Sequence, residues 1–237
     1  MTTPDLQLIY WPMIQGRGEC VRLALEDAGV AYDDVARREG IEAVTAYLKR
    51  GDLGVYAPPL LIQGDLIVSQ TANILQWIAP QIGLAPEPEA LKIRANQIQL
   101  TLMDIAAEAH DTHHPISTAL YYEDQQAEAI AAAQAFVGHR LPGWLSWLAS
   151  ICSPEGYTVG DQHCYTDLSV FQILCGLEYA FPKAMGRRPS STLDALVARV
   201  KARPRVAAYL ASARRIPFNE DGIFRRYPAL DVVGEER

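Results

Sequence analysis

The feature that most constrains the fold is a change of pattern at a proline-rich segment near residue 80. The segment APQIGLAPEPEA, residues 79–90, carries three prolines and has the composition of a linker. Before it, short strand-like apolar runs alternate with helical patterns, whereas only helical patterns recur after it. This change predicts an N-terminal α/β domain over residues 1–80, a linker over 81–90 and an all-α domain over 91–237.

The first 80 residues predict the element order β-α-β-α-β-β-α. Leu6, Leu8 and Tyr10 alternate with Gln7, Ile9 and Trp11, as in a strand that is buried on both faces. The later elements are a helix from Cys20 to Ala28 with Gly29 as its C-cap, a strand at 30–35, a weak helix at 40–50, a hairpin around Gln63-Gly64-Asp65 and a helix that Ser69 or Thr71 could cap. A strand–helix–strand unit favours a parallel pair, and the hairpin adds antiparallel strands. We therefore expect a small mixed sheet with helices on its faces.

The rest of the chain predicts a bundle of helices. Apolar residues recur at helical spacing over 90–118, 123–150, 167–180, 192–202 and 204–213. The expected breaks are at Pro115, at CSPEG, at RRPSS (187–191) and at Arg203-Pro204.

Composition excludes several classes of function. A net charge of −7 over 237 residues argues against a nucleic-acid partner, which needs a basic face. The four cysteines have no CxxC spacing and are interpreted as reduced thiols of a cytosolic protein. The N-terminus does not resemble a signal peptide, and no run of about 18 apolar residues predicts a membrane span. We therefore expect a cytoplasmic protein without a nucleic-acid or membrane partner.

The stretch LIYWPMIQGRGE, residues 8–19, admits three chemical interpretations. A dinucleotide fingerprint would need a third glycine at position 21, where the chain has Val21, so a phosphate cradle is disfavoured. A redox role for Cys20 is also disfavoured, because this residue takes a core-facing position of the helical pattern. Tyr10 lies at the carboxyl end of the first strand, where ligands bind in open α/β sheets. From position alone, a ligand-facing hydroxyl and a core aromatic are equally good interpretations.

Several stretches resemble one family in the right order along nearly the whole chain. They are LIYWPMIQGRGECVRLALEDAG, APPLLIQGDLIVSQTANILQWIA, LPGWLSWLAS, YTVGDQHCYTDLSVFQIL and VKARPRVAAYLAS. Together they resemble the cytosolic glutathione transferases of the tyrosine type, which include the pi, mu, alpha and sigma classes, and the helical part is most similar to the pi class. The longer tail, IPFNEDGIFRRYPALD, resembles a bacterial branch. The resemblance implies an α/β thioredoxin-like N-terminal domain followed by an all-α helical C-terminal domain.

The resemblance also implies a glutathione site. Tyr10 matches the catalytic tyrosine, whose hydroxyl would lower the pKa of the glutathione thiol. Pro59 matches the cis-proline, and the backbone of Pro58 could pair with the extended tripeptide. Gln70 and Thr71 begin a helix whose N-terminus favours an anion, here the γ-glutamyl carboxylate. Further candidates for glutathione binding are Trp11, Arg17, Lys49 and Arg50, although a solvated surface charge is an equal alternative for the basic side chains.

Other positions are assigned by the same resemblance. The hydrophobic substrate site would include Met13, Ile14, His113 and Tyr121. Glu108 or Asp111 could reach the partner subunit's ligand, and Tyr56 could be the aromatic key of a homodimer. His110, His113 and His114 share one helix face, but we expect cleft lining or plain surface there and no metal.

Two departures from the family pattern are present. The interval between Tyr10 and Gly16 is one residue longer than usual, which leaves the direction of Arg17 open. CYTD, residues 164–167, replaces the family's Ser/Thr-x-x-Asp capping box, and since cysteine is a weak acceptor we expect a poorer cap.

The sequence therefore predicts a homodimeric enzyme that conjugates glutathione, as a co-substrate, to hydrophobic electrophiles for detoxification. No tightly bound cofactor is expected. A glutathione-dependent peroxidase or isomerase is a near alternative, and a non-catalytic glutathione-binding scaffold is a more distant one.

Overall fold

The computed structural model describes residues 5–186 and 191–231, and its first part contains a four-stranded mixed sheet. The strands are β1 (Leu6–Ile9), β2 (Tyr32–Asp34), β3 (Leu60–Gln63) and β4 (Leu66–Ser69), arranged in the order β2-β1-β3-β4. β1 runs parallel to β2, while β3 runs antiparallel to both β1 and β4. Ile9 pairs with Leu60, so the start of β3 lies beside the carboxyl end of β1.

The helices of this part follow the predicted order. They are α1 (Gly18–Ala28), α2 (Val35–Glu39), α3 (Ile41–Leu48) and α4 (Thr71–Ile78). Gly29 ends α1 in the left-handed conformation, with φ 70°, as its C-cap position predicts. The strand expected at 30–35 is shorter, because Val35 and Ala36 begin α2 and bury their side chains there.

The remaining described residues form helices without a further strand. These are α5 (Glu89–Asp111), α6 (Gln126–Ala135), α7 (Leu141–Ile151), α8 (Tyr165–Ala180), α9 (Pro182–Met185), α10 (Ser191–Lys201) and α11 (Pro204–Leu210). A 3-10 turn spans Tyr122–Asp124, and a π-helical stretch, Phe136–Arg140, joins α6 to α7. The prediction of a mixed α/β part followed by an all-α part is confirmed.

Several helix boundaries differ from the sequence prediction. The helix expected to reach residue 118 ends at Asp111, because Pro115 has no N–H to donate to the Asp111 carbonyl and its ring would clash with that carbonyl in a longer helix. The helix expected at 123–150 is divided, and Pro142 occupies the first turn of α7. The short helix α9 was not predicted. The expected break at 187–191 lies, except for Ser191, outside the described residues.

Both faces of the sheet are buried. Leu6, Leu8 and Leu61 join a large apolar cluster with α1, α4, α5, α8 and the C-terminal segment. On the opposite face, Ile9 and Leu60 pack with the side chains of α2 and α3 in a smaller cluster. The large cluster continues through Leu84 in the segment between α4 and α5, and the division into residues 1–80, 81–90 and 91–237 stays a prediction. None of the helices described here has both the length and the apolar character needed to cross a membrane.

Candidate functional site

Tyr10 follows β1 directly and is only 4% exposed. Its hydroxyl oxygen accepts a hydrogen bond from the Arg17 backbone N–H, with 2.8 Å between nitrogen and oxygen. Within the described residues, the hydroxyl proton has no acceptor. Burial raises the pKa of Tyr10 despite the opposing effect of the Arg17 N–H, so the phenol is protonated at neutral pH and can donate.

Gly16 and Gly18 bring the following loop against the Tyr10 ring. A Cβ at Gly16 would collide with the hydroxyl oxygen, and one at Gly18 would lie 2.5 Å from the ring carbon Cγ. Gly16 also has φ 46°, which side chains rarely adopt. The glycines of this loop therefore allow the backbone to cover a tyrosine, a role for which no phosphate is needed.

The backbone of Arg17 joins Tyr10 to the start of α4. Its N–H donates to Tyr10, and its carbonyl oxygen accepts a hydrogen bond of 3.2 Å from the Thr71 hydroxyl. The Arg17 guanidinium has no hydrogen-bond or ion-pair partner in the described part of the chain. We call Tyr10, Gly16, Arg17, Gly18 and Thr71 the Tyr10 cluster.

The N-terminus of α4 is open. Its N-cap residue is Gln70, which has φ 70° and ψ 121° and is the one non-glycine residue with positive φ among those described. The predicted cap from Ser69 or Thr71 is wrong, because no side chain caps this helix and the Thr71 hydroxyl bonds to Arg17 instead. The first-turn N–H groups are thus without a side-chain acceptor, in an arrangement that suits an anion. A backbone outlier such as Gln70 is typical of a functional site.

Pro58 and Pro59 lie at the same edge of the sheet. The peptide bond between them is cis, as expected from the sequence. Because Leu60 pairs with Ile9, the two prolines lie next to the carboxyl end of β1, where Tyr10 begins the loop. The structure thus brings together four of the expected positions, namely Tyr10, Arg17, the diproline and the start of α4.

Lys49 and Arg50, the two basic candidates after α3, are exposed. Arg50 lies near the end of the sheet that is opposite Tyr10. Its guanidinium forms a 3.1 Å surface ion pair with Asp52 and borders a hollow of about 390 Å³ shared with Gly64 and Asp65. The hairpin turn at Gly64 is at the amino end of β1, opposite Tyr10. Trp11 is half-buried against the smaller apolar cluster. The assignments of Trp11 and Lys49 to glutathione binding stay predictions. The position of Arg50 argues against assigning Arg50 to the same site.

A C-terminal segment, residues 216–224, covers the loop after Tyr10. The Asn219 amide donates to the Met13 carbonyl over 2.8 Å, and a Cβ at Gly222 would lie 4.0 Å from Ile14. The carbonyl of Ile216 accepts a hydrogen bond from buried Gln15. Nothing in the sequence indicated this contact, because loop and tail are about 200 residues apart and neither is periodic.

The four residues expected in the hydrophobic site are in different environments. Met13 is 46% exposed and Tyr121 is 76% exposed, whereas His113 is 1% exposed and bonded through Nε2 to the Ile223 carbonyl at 2.9 Å. Ile14 is half-buried beneath the tail. Their shared role stays a prediction.

Three histidines are packed together at the end of α5. The ring centroids of His110, His113 and His114 are 4.7 to 5.0 Å apart. Burial lowers the pKa of all three, that of His113 to about 3. The interpretation as plain surface is therefore wrong for His113 and His114, which are buried.

Glu108 and Asp111, the two carboxylates considered for contact with a partner subunit, differ in their hydrogen-bond and ion-pair partners. Glu108 accepts hydrogen bonds from the Arg140 guanidinium at 2.6 and 2.9 Å and from the Trp144 indole at 2.9 Å. Asp111 is exposed, and its carboxylate pairs among the described residues with His110 alone, at 3.2 Å. Tyr56, the expected dimer key, is 95% exposed in the single chain.

Cys20 is not a redox-active candidate. No disulfide joins the four cysteines, each of which lies within the described residues. Burial raises the pKa of Cys20 to about 12, so its thiolate is not available at neutral pH. The interpretation of Cys20 as a buried small side chain is confirmed.

Comparisons with known proteins place the fold. Residues 110–213 match the family "Glutathione S-transferase, C-terminal domain". The chain is 29% identical over 226 residues to Glutathione S-transferase P of Caenorhabditis elegans, covering 92% of this chain and 98% of that protein. It is 26% identical over 225 residues to Glutathione S-transferase P of Bos taurus, with coverages of 92% and 99%.

Among solved structures, the pi-class glutathione S-transferase of Onchocerca volvulus superposes with a TM-score of 0.68 at 21% identity, covering 87% of this chain and 92% of that one. The expected fold, a thioredoxin-like part followed by helices, is confirmed, as is the prediction of an enzyme similar to the glutathione S-transferases.

Proposed function

We propose that the chain is a tyrosine-type glutathione transferase in which Tyr10 activates the thiol of glutathione for addition to a hydrophobic electrophile. The observation that carries this proposal is the Tyr10 hydroxyl, which is buried, protonated and held by the Arg17 N–H, with its proton unclaimed by any described residue. A long series of relatives named glutathione S-transferase supports the reaction class.

The chemistry requires a thiolate at neutral pH. Glutathione's thiol resembles that of cysteine, whose pKa is about 8.5, so only a few per cent is ionised at pH 7. A phenol that donates to the sulfur stabilises the charged form. Lowering the thiol pKa by about two units needs about 2.7 kcal/mol, which a charge-assisted hydrogen bond in a dry site supplies. The thiolate then attacks the electrophilic carbon; on an aryl halide the new carbon–sulfur bond replaces the carbon–halogen bond, and the halide leaves with that electron pair.

Residues in and around the Tyr10 cluster offer binding groups for the rest of the tripeptide. The open N–H groups at the start of α4 would hold the γ-glutamyl carboxylate beside Gln70 and Thr71. The backbone of Pro58 would pair with the extended ligand. The unpaired Arg17 guanidinium adds positive charge near the thiolate. Lys49 remains the exposed candidate for the glycine carboxylate, and Trp11 for a packing contact.

The assembly and setting are proposed on the same basis. A homodimer would cover the exposed Tyr56 ring, and Asp111, which is freer than Glu108, would reach the neighbouring glutathione. We further infer a cytoplasmic role in detoxification and, from the longer tail, a bacterial branch of the family.

A conjugation assay with an aryl halide tests the proposal. In Tyr10→Phe, we expect kcat/KM at pH 6.5 to fall about 10- to 100-fold, because the thiolate fraction drops while the ring still fills its site. Tyr47→Phe is the matched control, since Tyr47 lies near the hairpin end of the sheet, away from Tyr10. Equal activity of Tyr10→Phe and wild type would refute the role of Tyr10. Absence of turnover in wild type, together with stabilisation by glutathione, would favour a binding scaffold.

A further inference from the structure

The three histidines at the end of α5 form a compact group of imidazoles. One ring nitrogen from each of His110, His113 and His114 lies within 4.8 Å of the other two. A tetrahedral zinc ion with nitrogen ligands at 2.0–2.1 Å needs such nitrogens about 3.3 Å apart. Small side-chain rotations would therefore bring the three imidazoles into a coordination sphere.

His113 is already held in the tautomer that a metal ligand needs. Its Nε2 lies 2.9 Å from the Ile223 carbonyl, which only accepts, so Nε2 carries the proton. The other nitrogen, Nδ1, is buried and has no partner among the described residues. Metal-binding histidines usually donate the second ring N–H to a carbonyl or carboxylate in this way. An unpaired lone pair in a side chain that is 1% exposed is costly, and a bound cation would satisfy it.

His110 has an equivalent arrangement with a carboxylate. Its Nδ1 lies 3.2 Å from Oδ1 of Asp111, so Nδ1 donates, and Nε2 has no hydrogen-bond partner among the residues that the structure describes. Asp111 adds a negative charge next to the group, and the C-terminus of α5 adds the negative end of a helix dipole. Both features favour a cation over an empty site.

His114 contacts a glutamine that is hydrogen-bonded to the loop after it. The side-chain amide of buried Gln125 lies 3.2 Å from His114 Nδ1, and the same amide accepts from the Ile116 N–H and donates to the Ser117 carbonyl. Because the amide nitrogen of Gln125 only donates, His114 Nδ1 accepts this hydrogen bond, and a metal ion bound through that nitrogen would take over the lone pair from the amide.

From this geometry we propose that His110, His113 and His114 bind one divalent transition-metal ion of the class that prefers imidazole, such as Zn²⁺ or Co²⁺. Three protein ligands leave one position of a tetrahedral ion open to water or another small ligand. The positive charge of Arg225 acts on all three histidines and opposes a cation there, and its guanidinium donates to the carbonyls of Asp221 and Gly222.

Metal binding can be measured without any enzymatic activity. The full-length protein is stripped with a chelator, transferred to thiol-free buffer and titrated with CoCl₂ while the visible ligand-field bands are recorded. We expect about one ion per chain, and an increase in Tm of about 5 °C or more when ZnCl₂ is present at about 100 times its Kd. Absence of binding at millimolar metal would overturn the proposal.

Three variants separate this site from adventitious binding. His110→Gln should weaken the Co²⁺ affinity at least tenfold, and Asp111→Asn should weaken it about 10- to 100-fold by loosening the His110 ring. His139→Gln, which removes an exposed imidazole elsewhere, should bind as wild type does. Circular dichroism of the metal-free variants establishes that each is folded. If His110→Gln does not fold, Asp111→Asn still tests the site. Unchanged affinity in both His110→Gln and Asp111→Asn, or loss in His139→Gln, would refute the assignment.

Discussion

Because Gly18 has no Cβ, the first turn of α1 can lie against the Tyr10 ring. Gly18→Ala would place a Cβ 2.5 Å from Tyr10 Cγ, so the ring or the loop must shift. We expect the free energy of unfolding to fall by about 1–3 kcal/mol, as in other overpacked cores, and conjugation activity to fall as well. Denaturant unfolding and the aryl halide assay measure the two effects.

Gly143→Ala is the matched control for this substitution. Gly143 is also helical, but a Cβ there would meet nothing within 4 Å. We expect a gain of about 0.5–1 kcal/mol from the reduced entropy of the unfolded chain. If both variants gained stability equally, the close approach of Gly18 to Tyr10 would not be a constraint on this fold.

Individual residues differ in how far the sequence predicted them. Tyr10, Gly16 and the cis bond at Pro59 lie in local motifs, and local motifs can be interpreted from sequence. The cap at Thr71 was predicted wrongly because its hydroxyl prefers a carbonyl 54 residues away, a choice that only tertiary structure makes. Buried Gln15 gave no signal for the same reason, since its partners are Ile216 and Gln172.

At the scale of elements, the N-terminus of α8 is fixed by one buried carboxylate. Asp167 accepts hydrogen bonds from the backbone N–H of Cys164 at 3.1 Å and from the hydroxyl of Thr158 at 2.6 Å, and it pairs with Arg199 at 3.0 Å. The capping box is therefore present although cysteine replaces the usual hydroxyl residue. The expectation that Cys164 makes this cap poorer stays a prediction.

Asp167→Asn should destabilise the protein strongly. The substitution leaves Arg199 facing a neutral group in a buried setting, and we expect a loss of about 3 kcal/mol or more in the free energy of unfolding. Asp104→Asn, at an exposed position of α5, should change it by less than about 0.5 kcal/mol.

From the environment of Asp167 we predict that the folded protein loses stability in acid. Burial opposes ionisation of Asp167, but hydrogen bonds from His163 and Thr158 and the charge of Arg199 outweigh it and lower its pKa. A lowered pKa stabilises the fold above the ordinary value of about 3.9, and this contribution is lost as the pH falls below it. Unfolding measured from pH 6 to pH 2 should show a steeper loss for wild type than for Asp167→Asn. Parallel curves would contradict this role.

Helix boundaries show which elements the sequence specifies. The starts of α7 and α11 contain proline in their first turn, and that signal is local. The short helix α9 also begins with a proline, Pro182, but it is only four residues long and was not predicted. No residue pattern predicted the π-helical stretch Phe136–Arg140.

At the scale of the whole molecule, buried polar contacts tie α11 and the following Arg215 to α1. Glu19 is fully buried and accepts hydrogen bonds from the Tyr209 hydroxyl at 2.6 Å and from the Arg215 guanidinium at 2.5 Å. Arg22 forms an ion pair with the same carboxylate at 3.3 Å. The large apolar cluster also runs through both parts of the chain. We therefore expect a single unfolding transition rather than two.

Tyr209→Phe tests this connection. Removing a buried hydrogen bond to a charged group should cost about 1.5–3 kcal/mol, and near- and far-ultraviolet circular dichroism should still report one shared midpoint. Tyr179→Phe is the control, because its hydroxyl makes an equally short bond of 2.6 Å to Glu220 at the surface. We expect that variant to lose less than about 1 kcal/mol. Separate midpoints, or equal losses in the two variants, would contradict the tie between α11 and α1.

The most direct measurement for the whole molecule is the pKa of the glutathione thiol when glutathione is bound. Thiolate absorbance is followed against pH with saturating glutathione, for wild type and for Tyr10→Phe. We predict a pKa about two units below the free value of about 8.5 in wild type, and a return toward that value in the variant. The same pKa in both proteins would show that Tyr10 does not activate the thiol.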